Sequence, residues 1–337
     1  MGERRYNERA LAVLTPISTQ EARAFASAYA LGGELRAVIG IPAGSVNSNF
    51  ALELDRGRFF LRIYEEQDRE GALAEAALLT RLEAAGVKAT APLANTHGAH
   101  VGELAGKPAA VFPWREGEMR CQKSVSAEDA RRVGAALASV HVAGEGAGMR
   151  ALTREGRFRF EDLRARLPRI AAAEDPVLAA QAEPLARKLD ELGAERDASL
   201  PRGLIHGDLF RDNVLWATSG EISALLDFES ASRGVYAYDV MVTVLAWCVG
   251  DALDVALFAA MVRGYESVRR LTDEERAALR TEGRAAALRF TLTRITDYAM
   301  RVTDGPRVVK DWRRFAMRLA AVEAISEADF ARIVGVR

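Results

Sequence analysis

The chain has 337 residues, 49% hydrophobic and 28% charged, enough for one large domain or two lobes with their own cores. A net charge of −1 removes any global electrostatic case for nucleic acid or an anionic membrane as partner. The only cysteines, Cys121 and Cys248, lie far apart, so neither a disulfide framework nor a zinc cluster is expected, and a reducing cytoplasm fits.

Residues 1–13 read as a loose tail, and the start, Met1 to Arg9, carries charges of both signs and no apolar core of the signal-peptide kind. Ser18-Thr19-Gln20-Glu21 is a capping-box pattern and predicts a helix over 19–30, stopped at Gly32-Gly33. Strands are expected over 35–41, 50–54 and 58–64, separated by Pro42-Ala43-Gly44 and Asp55-Arg56-Gly57. A helix over 70–85 closes at Gly86, and 98–114 is sheet-like with turns at Gly98, Gly102 and Gly106. From Ser126 the chain is mainly helical, beginning with a helix to about 143 and interrupted by a hairpin-containing unit at 204–227. The apolar stretch 235–249 contains Asp239 and is too short to span a bilayer, so it reads as a buried helix. Thr272-Asp273-Glu274-Glu275 opens another helix, followed by alanine-rich amphipathic segments. The expectation is an α+β fold of two lobes with a cleft between them. Its parts are a tail and helix (1–33), a small β-rich lobe (34–113) and a larger helical lobe (114–337).

The loop from Gly40 to Phe50 joins two strands and can bring backbone N–H groups and the small polar side chains of Ser45, Asn47, Ser48 and Asn49 to phosphates, beside Gly44. It lacks the G-x-G-x-x-G spacing of protein kinases. In the strand over 58–64, alternation puts Phe59, Leu61 and Ile63 on one face and Arg62 on the other, between Phe60 and Tyr64. In the following helix, Glu75 shares a stripe with Leu78, Leu79 and Leu82. A carboxylate on an apolar stripe needs a partner, and Arg62 is the nearest candidate. Such a pair is either a structural salt bridge or a strand cation held ready for phosphates.

His206-Gly207-Asp208-Leu209-Phe210-Arg211-Asp212-Asn213 carries a His-x-Asp with an Asn five residues after the Asp, and Asp227 follows nineteen residues beyond Asp208. This is the spacing of a phosphoryl-transfer catalytic loop. Asp208 can accept the proton of an attacking hydroxyl, while Asn213 and Asp227 offer hard oxygen ligands to Mg²⁺. The flanking apolar segments 204–205, 214–216 and 222–226 read as short strands, with Ser219-Gly220 in a turn. His206 reads as the organiser of the loop, and His141 as a core histidine.

These residues resemble those of the aminoglycoside-phosphotransferase and choline-kinase-like branch of the kinase superfamily, and within it the bacterial homoserine kinases. The likeness runs from Leu14-Thr15-Pro16-Ile17-Ser18 through the 40–50 loop, Gly106-Lys107-Pro108-Ala109 and 137–144 to His206–Leu215 and 238–248. It implies a two-lobed protein-kinase-like fold and ATP-dependent phosphorylation of a small hydroxyl substrate, L-homoserine first. Asp208 would be the base, Asn213 and Asp227 the Mg²⁺ ligands, and the stretch from Phe112 to Trp114 would offer backbone groups to adenine. The superfamily usually has Lys where Arg62 stands. Glu229 occupies the position of the Gly in the Asp-Phe-Gly motif, which implies a small-molecule kinase without a flipping activation segment. A zwitterionic acceptor needs a cation and an anion near Asp208. Arg211, Glu229, Arg233 and Asp239 are the candidates, with Asp239 alternatively anchoring the loop and Arg233 alternatively a solvated turn residue. Choline, ethanolamine, methylthioribose or an aminoglycoside remain open as acceptors, and a nucleotide-binding pseudokinase remains the non-enzyme alternative.

Overall fold

The structure, a computed structural model, describes residues 14–42, 46–146, 148–301 and 310–335. The chain divides into two compact units, the first drawn from residues 14–83 and 90–115, the second from 84–89, 116–301 and 310–335.

The first unit is built on strands β1 (Leu35–Ile41), β2 (Ser48–Leu54), β3 (Gly57–Ile63), β4 (Gly102–Leu104) and β5 (Lys107–Pro113), with helices α1 (Thr19–Ala26) and α2 (Arg69–Ala84). The strands form one antiparallel sheet in the order β1-β2-β3-β5-β4. Alternation works as expected: Phe50, Leu52, Leu61, Ile63, Ala109 and Val111 bury one face, joined by Ala22, Ala26 and Tyr29. Burying each large aliphatic or aromatic side chain contributes roughly 1.5–3 kcal/mol, so this face holds the sheet and orients its other face. α1 therefore shares the core of the sheet, and is not a separate N-terminal appendage. Its capping box forms between Ser18 and Glu21, but the helix ends at Ala26, short of the expected 30. There the Ser27 hydroxyl donates back to the Ala24 carbonyl and the chain leaves through turns. Between β4 and β5 the chain reverses through Ala105 and Gly106, both at positive φ (53° and 73°), a two-residue turn that suits Gly106 and strains Ala105.

The second unit contains helices α3 (Ala127–Gly144), α4 (Met149–Leu152), α5 (Phe160–Arg164), α6 (Leu167–Ala171), α7 (Pro176–Ala179) and α8 (Ala182–Glu195). Strands β6 (Arg202–Ile205), β7 (Val214–Trp216), β8 (Ile222–Leu225) and β9 (Ser232–Val235) follow, then α9 (Tyr236–Trp247), α10 (Val255–Glu266), α11 (Asp273–Arg294), α12 (Arg313–Glu323) and α13 (Glu327–Val334). β7 pairs with β8 as the sequence implies, but β6 pairs with β9, a strand for which the sequence carries no expectation. Segment 84–89 joins this unit because the Lys88 carbonyl accepts from Leu225 N at 2.8 Å. α9 is buried on nearly every side, and α11 packs against α8, α9 and α12. Leu288, Leu292 and Ile295 meet Leu185, Leu189, Leu192 and Trp312 there. α3 and α10 approach closely because each has a glycine at the crossing. A Cβ on Gly134 would lie 2.1 Å from the Met261 carbonyl oxygen, and one on Gly264 would lie 1.8 Å from that of Arg131. Among the described residues, no helix is long and apolar enough to cross a membrane.

Candidate active site

β6 delivers the chain into the loop 206–213, and α9 pins that loop from below. Asp239, in the first turn of α9, is wholly buried. Its Oδ2 accepts from His206 N at 2.7 Å and from His141 Nε2 at 3.0 Å, and its Oδ1 accepts from Gly207 N at 2.8 Å. Burial alone would raise this carboxyl, but the hydrogen bonds from His141 and Gly207 and the neighbouring histidines hold it below the usual carboxylate range. The close α3–α10 packing positions His141, whose Nδ1 meets the Tyr265 hydroxyl at 2.8 Å. His206 is equally buried. Its Nε2 donates to the Leu226 carbonyl at 3.0 Å, its Nδ1 accepts from Asp208 N at 3.3 Å, and its ring lies 4.5 Å from that of Phe228. A carbonyl only accepts and an amide only donates, so the ring is the neutral Nε2–H tautomer. Burial pushes its pKa down, which agrees with that tautomer. Trp247, at the far end of α9, donates its indole N–H to the Leu209 carbonyl at 2.9 Å.

On this frame sit Asp208, Asn213 and Asp227. Asn213 Nδ2 donates to the Asp208 carbonyl at 2.8 Å, and Leu226 N donates to the Asn213 carbonyl at 2.8 Å. With Val214 opposite Leu225 in the β7–β8 register, Asn213 and Asp227 come to the same end of one ribbon. Asp227 adopts φ 62°, ψ 64°, the left-handed conformation that a non-glycine residue occupies only at a cost, and its Oδ1 is buried without a hydrogen-bond partner. An orphaned carboxylate oxygen beside an amide whose nitrogen is already used presents oxygen to a hard divalent cation. The donor set fits such an ion. Asp208 is pushed up to about 7, chiefly by burial; Arg289 and Lys310 pull it down, while Asp227 and Asp212 push it up. A carboxyl poised there can exchange a proton near neutral pH.

In the first unit, Arg62 and Glu75 form the expected ion pair, Nη1 to Oε1 at 3.3 Å, with both groups largely buried. Gln67 Nε2 donates to the other Glu75 oxygen at 2.9 Å. The Arg62 guanidinium lies about 6 Å from the rings of Phe60, Tyr64 and Phe112. The expected phosphate loop is reduced, because β2 starts at Ser48. Ser48 is fully buried, and its hydroxyl accepts from Leu14 N and Thr15 N at 2.9 Å and donates to Glu65. That removes Ser48 as a phosphate ligand: it ties the N-terminal segment to the sheet. Asn47 Oδ1 accepts from Glu65 N at 3.2 Å, while Asn49 is buried opposite Arg62 in the β2–β3 register. Gly44 and Ser45 lie outside the described residues. Phe112 packs edge-on against Phe60, and Trp114 follows β5 beneath the Arg58 guanidinium at 4.7 Å.

The substrate candidates divide. Asp239 takes the anchoring alternative, since both of its oxygens are occupied inside the core. Arg211 is also corrected: its guanidinium donates to the Ala246 carbonyl near the end of α9 and to Gln122, tying the catalytic loop to the helix. Glu229 sits half-buried in the 3-10 turn after Asp227. Arg233 lies exposed on β9. Gln67, Gln122 and Arg289 were missed by the sequence reading. Of these only Arg289 carries a local signal, a lone charge inside the apolar run Ala285–Phe290.

The model of the phosphotransferase enzyme family matches residues 37–279. The chain is 38% identical to the homoserine kinase of Methylocella silvestris, over 86% of this chain and 88% of that protein. It is 37% identical to the homoserine kinase of Sinorhizobium fredii, over 95% and 97%. Among solved structures, the amicoumacin kinase hAmiN in complex with AMP-PNP, Ca²⁺ and Ami is similar with a TM-score of 0.68 at 15% identity, covering 94% of each chain, a likeness of kinase-like fold. The chain therefore belongs to the phosphotransferase enzyme family, as an ATP-dependent kinase of a small hydroxyl acceptor.

Proposed function

We propose that the chain phosphorylates the hydroxyl of L-homoserine, with ATP and Mg²⁺, to give O-phospho-L-homoserine and ADP. The observation that carries this reading is an intact Asp208–Asn213–Asp227 set in a chain that matches curated homoserine kinases at 36–39% identity over most of its length. In this reading the Asp208 carboxylate takes the proton of the homoserine hydroxyl as that oxygen attacks the γ-phosphorus. The bond from the γ-phosphorus to the bridging oxygen breaks, and ADP leaves with the electron pair. Asn213 and Asp227 would hold Mg²⁺, which supplies charge neutralisation on the phosphates. Arg62, steadied by Glu75, offers the phosphates a permanently charged fork. Asn47, Asn49 and the backbone from Phe112 to Trp114 serve the nucleotide. Both cysteines are free, in keeping with a cytoplasmic reaction.

A coupled ADP-release assay over L-homoserine, choline, ethanolamine, methylthioribose and kanamycin tests the reading. Homoserine should exceed every other acceptor by ~100-fold or more in kcat/KM, the scale on which charged-group recognition discriminates. A better rate with choline or kanamycin, or no ADP release with any acceptor, overturns it.

A further inference from the structure

A cavity of about 550 Å³ opens within the second unit beside the catalytic loop. Gly207 and Ser230 line one side, and Tyr238, Phe158 and Arg289 line others. Its volume suits a small metabolite. Arg289, on α11, is only 5% exposed. Its guanidinium carbon lies 3.9 Å from the Phe158 ring centroid and 3.8 Å from that of Phe290, so two aromatic rings hold it in place. Its Nε has no hydrogen-bond partner, and among the described residues no carboxylate lies within ion-pair distance of it. The contrast with Arg196 on the same cavity is direct, since Arg196 grips both oxygens of Glu282. A buried guanidinium with no carboxylate in contact among the described residues is costly to keep, and an arriving carboxylate lowers that cost.

We propose that Arg289 receives the carboxylate of the acceptor and thereby makes the enzyme select a hydroxy amino acid over an amino alcohol. This rests on the homoserine reading above and assigns the group that recognises one end of that substrate. The placement suits the chemistry. Gly207 lines the cavity immediately before Asp208, and in homoserine three carbon–carbon bonds separate the carboxylate carbon from the carbon bearing the hydroxyl. Gly207 and Arg289 line the same cavity, and the charge of Arg289 pulls down the pKa of Asp208, the residue that follows Gly207. A planar guanidinium can take a carboxylate through two parallel N–H bonds, which a lysine cannot reproduce.

The test compares L-homoserine with 3-aminopropan-1-ol, which is homoserine without its carboxylate, in the wild type, Arg289→Met and Arg289→Lys. Circular dichroism and thermal midpoints check that each variant folds, and the lysine variant carries the test if the methionine variant does not. Arg289→Met should lose about 30-fold or more in kcat/KM on homoserine, as expected when one member of a buried charge pair is removed. The change on 3-aminopropan-1-ol should be far smaller. Arg289→Lys should raise KM for homoserine with kcat largely kept. Equal losses on both substrates would overturn the assignment and leave Arg289 acting through Asp208 or through packing; no loss on either would overturn it as well. A wild type inactive on homoserine removes the proposed function itself, and this inference with it, a result distinct from both.

Discussion

Asp239→Asn separates an anchor from a substrate ligand. The native carboxylate accepts three hydrogen bonds, from His206 N at 2.7 Å, Gly207 N at 2.8 Å and His141 Nε2 at 3.0 Å. An amide keeps one oxygen and turns the other into a donor. If the nitrogen faces Gly207, one bond is lost and two N–H groups oppose each other; if it faces His206 and His141, two are lost. Leaving a buried donor unsatisfied costs ~1–3 kcal/mol, and removing the charge from a buried, fully hydrogen-bonded group brings the total to ~3–5 kcal/mol. For a unit of this size, at about 2–4 °C per kcal/mol, the thermal midpoint should fall by roughly 6–20 °C. Because the loop backbone at 206–207 is what the carboxylate holds, kcat should fall with stability while KM for homoserine changes little. Urea denaturation and steady-state kinetics measure both. An unchanged unfolding midpoint with a raised KM would refute the anchoring role and restore Asp239 as a substrate contact.

Other outcomes follow from the same geometry. Asp208→Asn should lower kcat by ~10²–10⁴ while leaving nucleotide binding near the wild-type value, as measured by titration with AMP-PNP; wild-type turnover would remove Asp208 as the base. Asn213→Ala and Asp227→Ala should each raise the Mg²⁺ concentration needed for half-maximal rate, Asp227 more because it carries charge; superimposable Mg²⁺ titrations would contradict the ligand set. His206 is buried neutral with its pKa lowered, so the unfolded chain takes up a proton near 6.5 that the folded chain refuses. Its contribution to stability is present above that value and is lost as pH falls below it. Urea unfolding at pH 7.5 and 5.5 should show that loss, and a smaller one in His206→Gln; equal losses in both proteins would contradict it.

What was legible in the sequence was local or periodic. The capping boxes at Ser18 and Thr272 form where their four-residue patterns place them, because both partners lie within one turn. Arg62 and Glu75 were legible because alternation on a strand and a stripe on a helix assign each a face, and one buried charge needs the other. Asp208, Asn213 and Asp227 lie in one short window closed by the β7–β8 ribbon, so spacing alone brought them together. The rest depends on contacts distant in sequence. β9 contains Gly234 and no clear alternation, and becomes a strand only because β6 lies beside it. Each of their glycines is closely covered: a Cβ on Gly203 would lie 2.0 Å from the Tyr236 hydroxyl, and one on Gly234 would lie 2.3 Å from Ile205. Arg211 reads as available to substrate, and Asp239 as either a substrate group or an anchor, because nothing local shows that α9 runs beneath the loop. Ser48 looked like a phosphate ligand until the N-terminal segment was placed across it.

The most direct measurement is phosphorus NMR of the product formed from L-homoserine, ATP and Mg²⁺ by the wild type and by Asp208→Asn. The account predicts a new phosphate monoester, with its phosphorus coupled to the γ-methylene protons of homoserine, forming in step with ADP in the wild type and nearly absent with the variant. ADP accompanied only by inorganic phosphate, or an equal yield of the ester from Asp208→Asn, would contradict it.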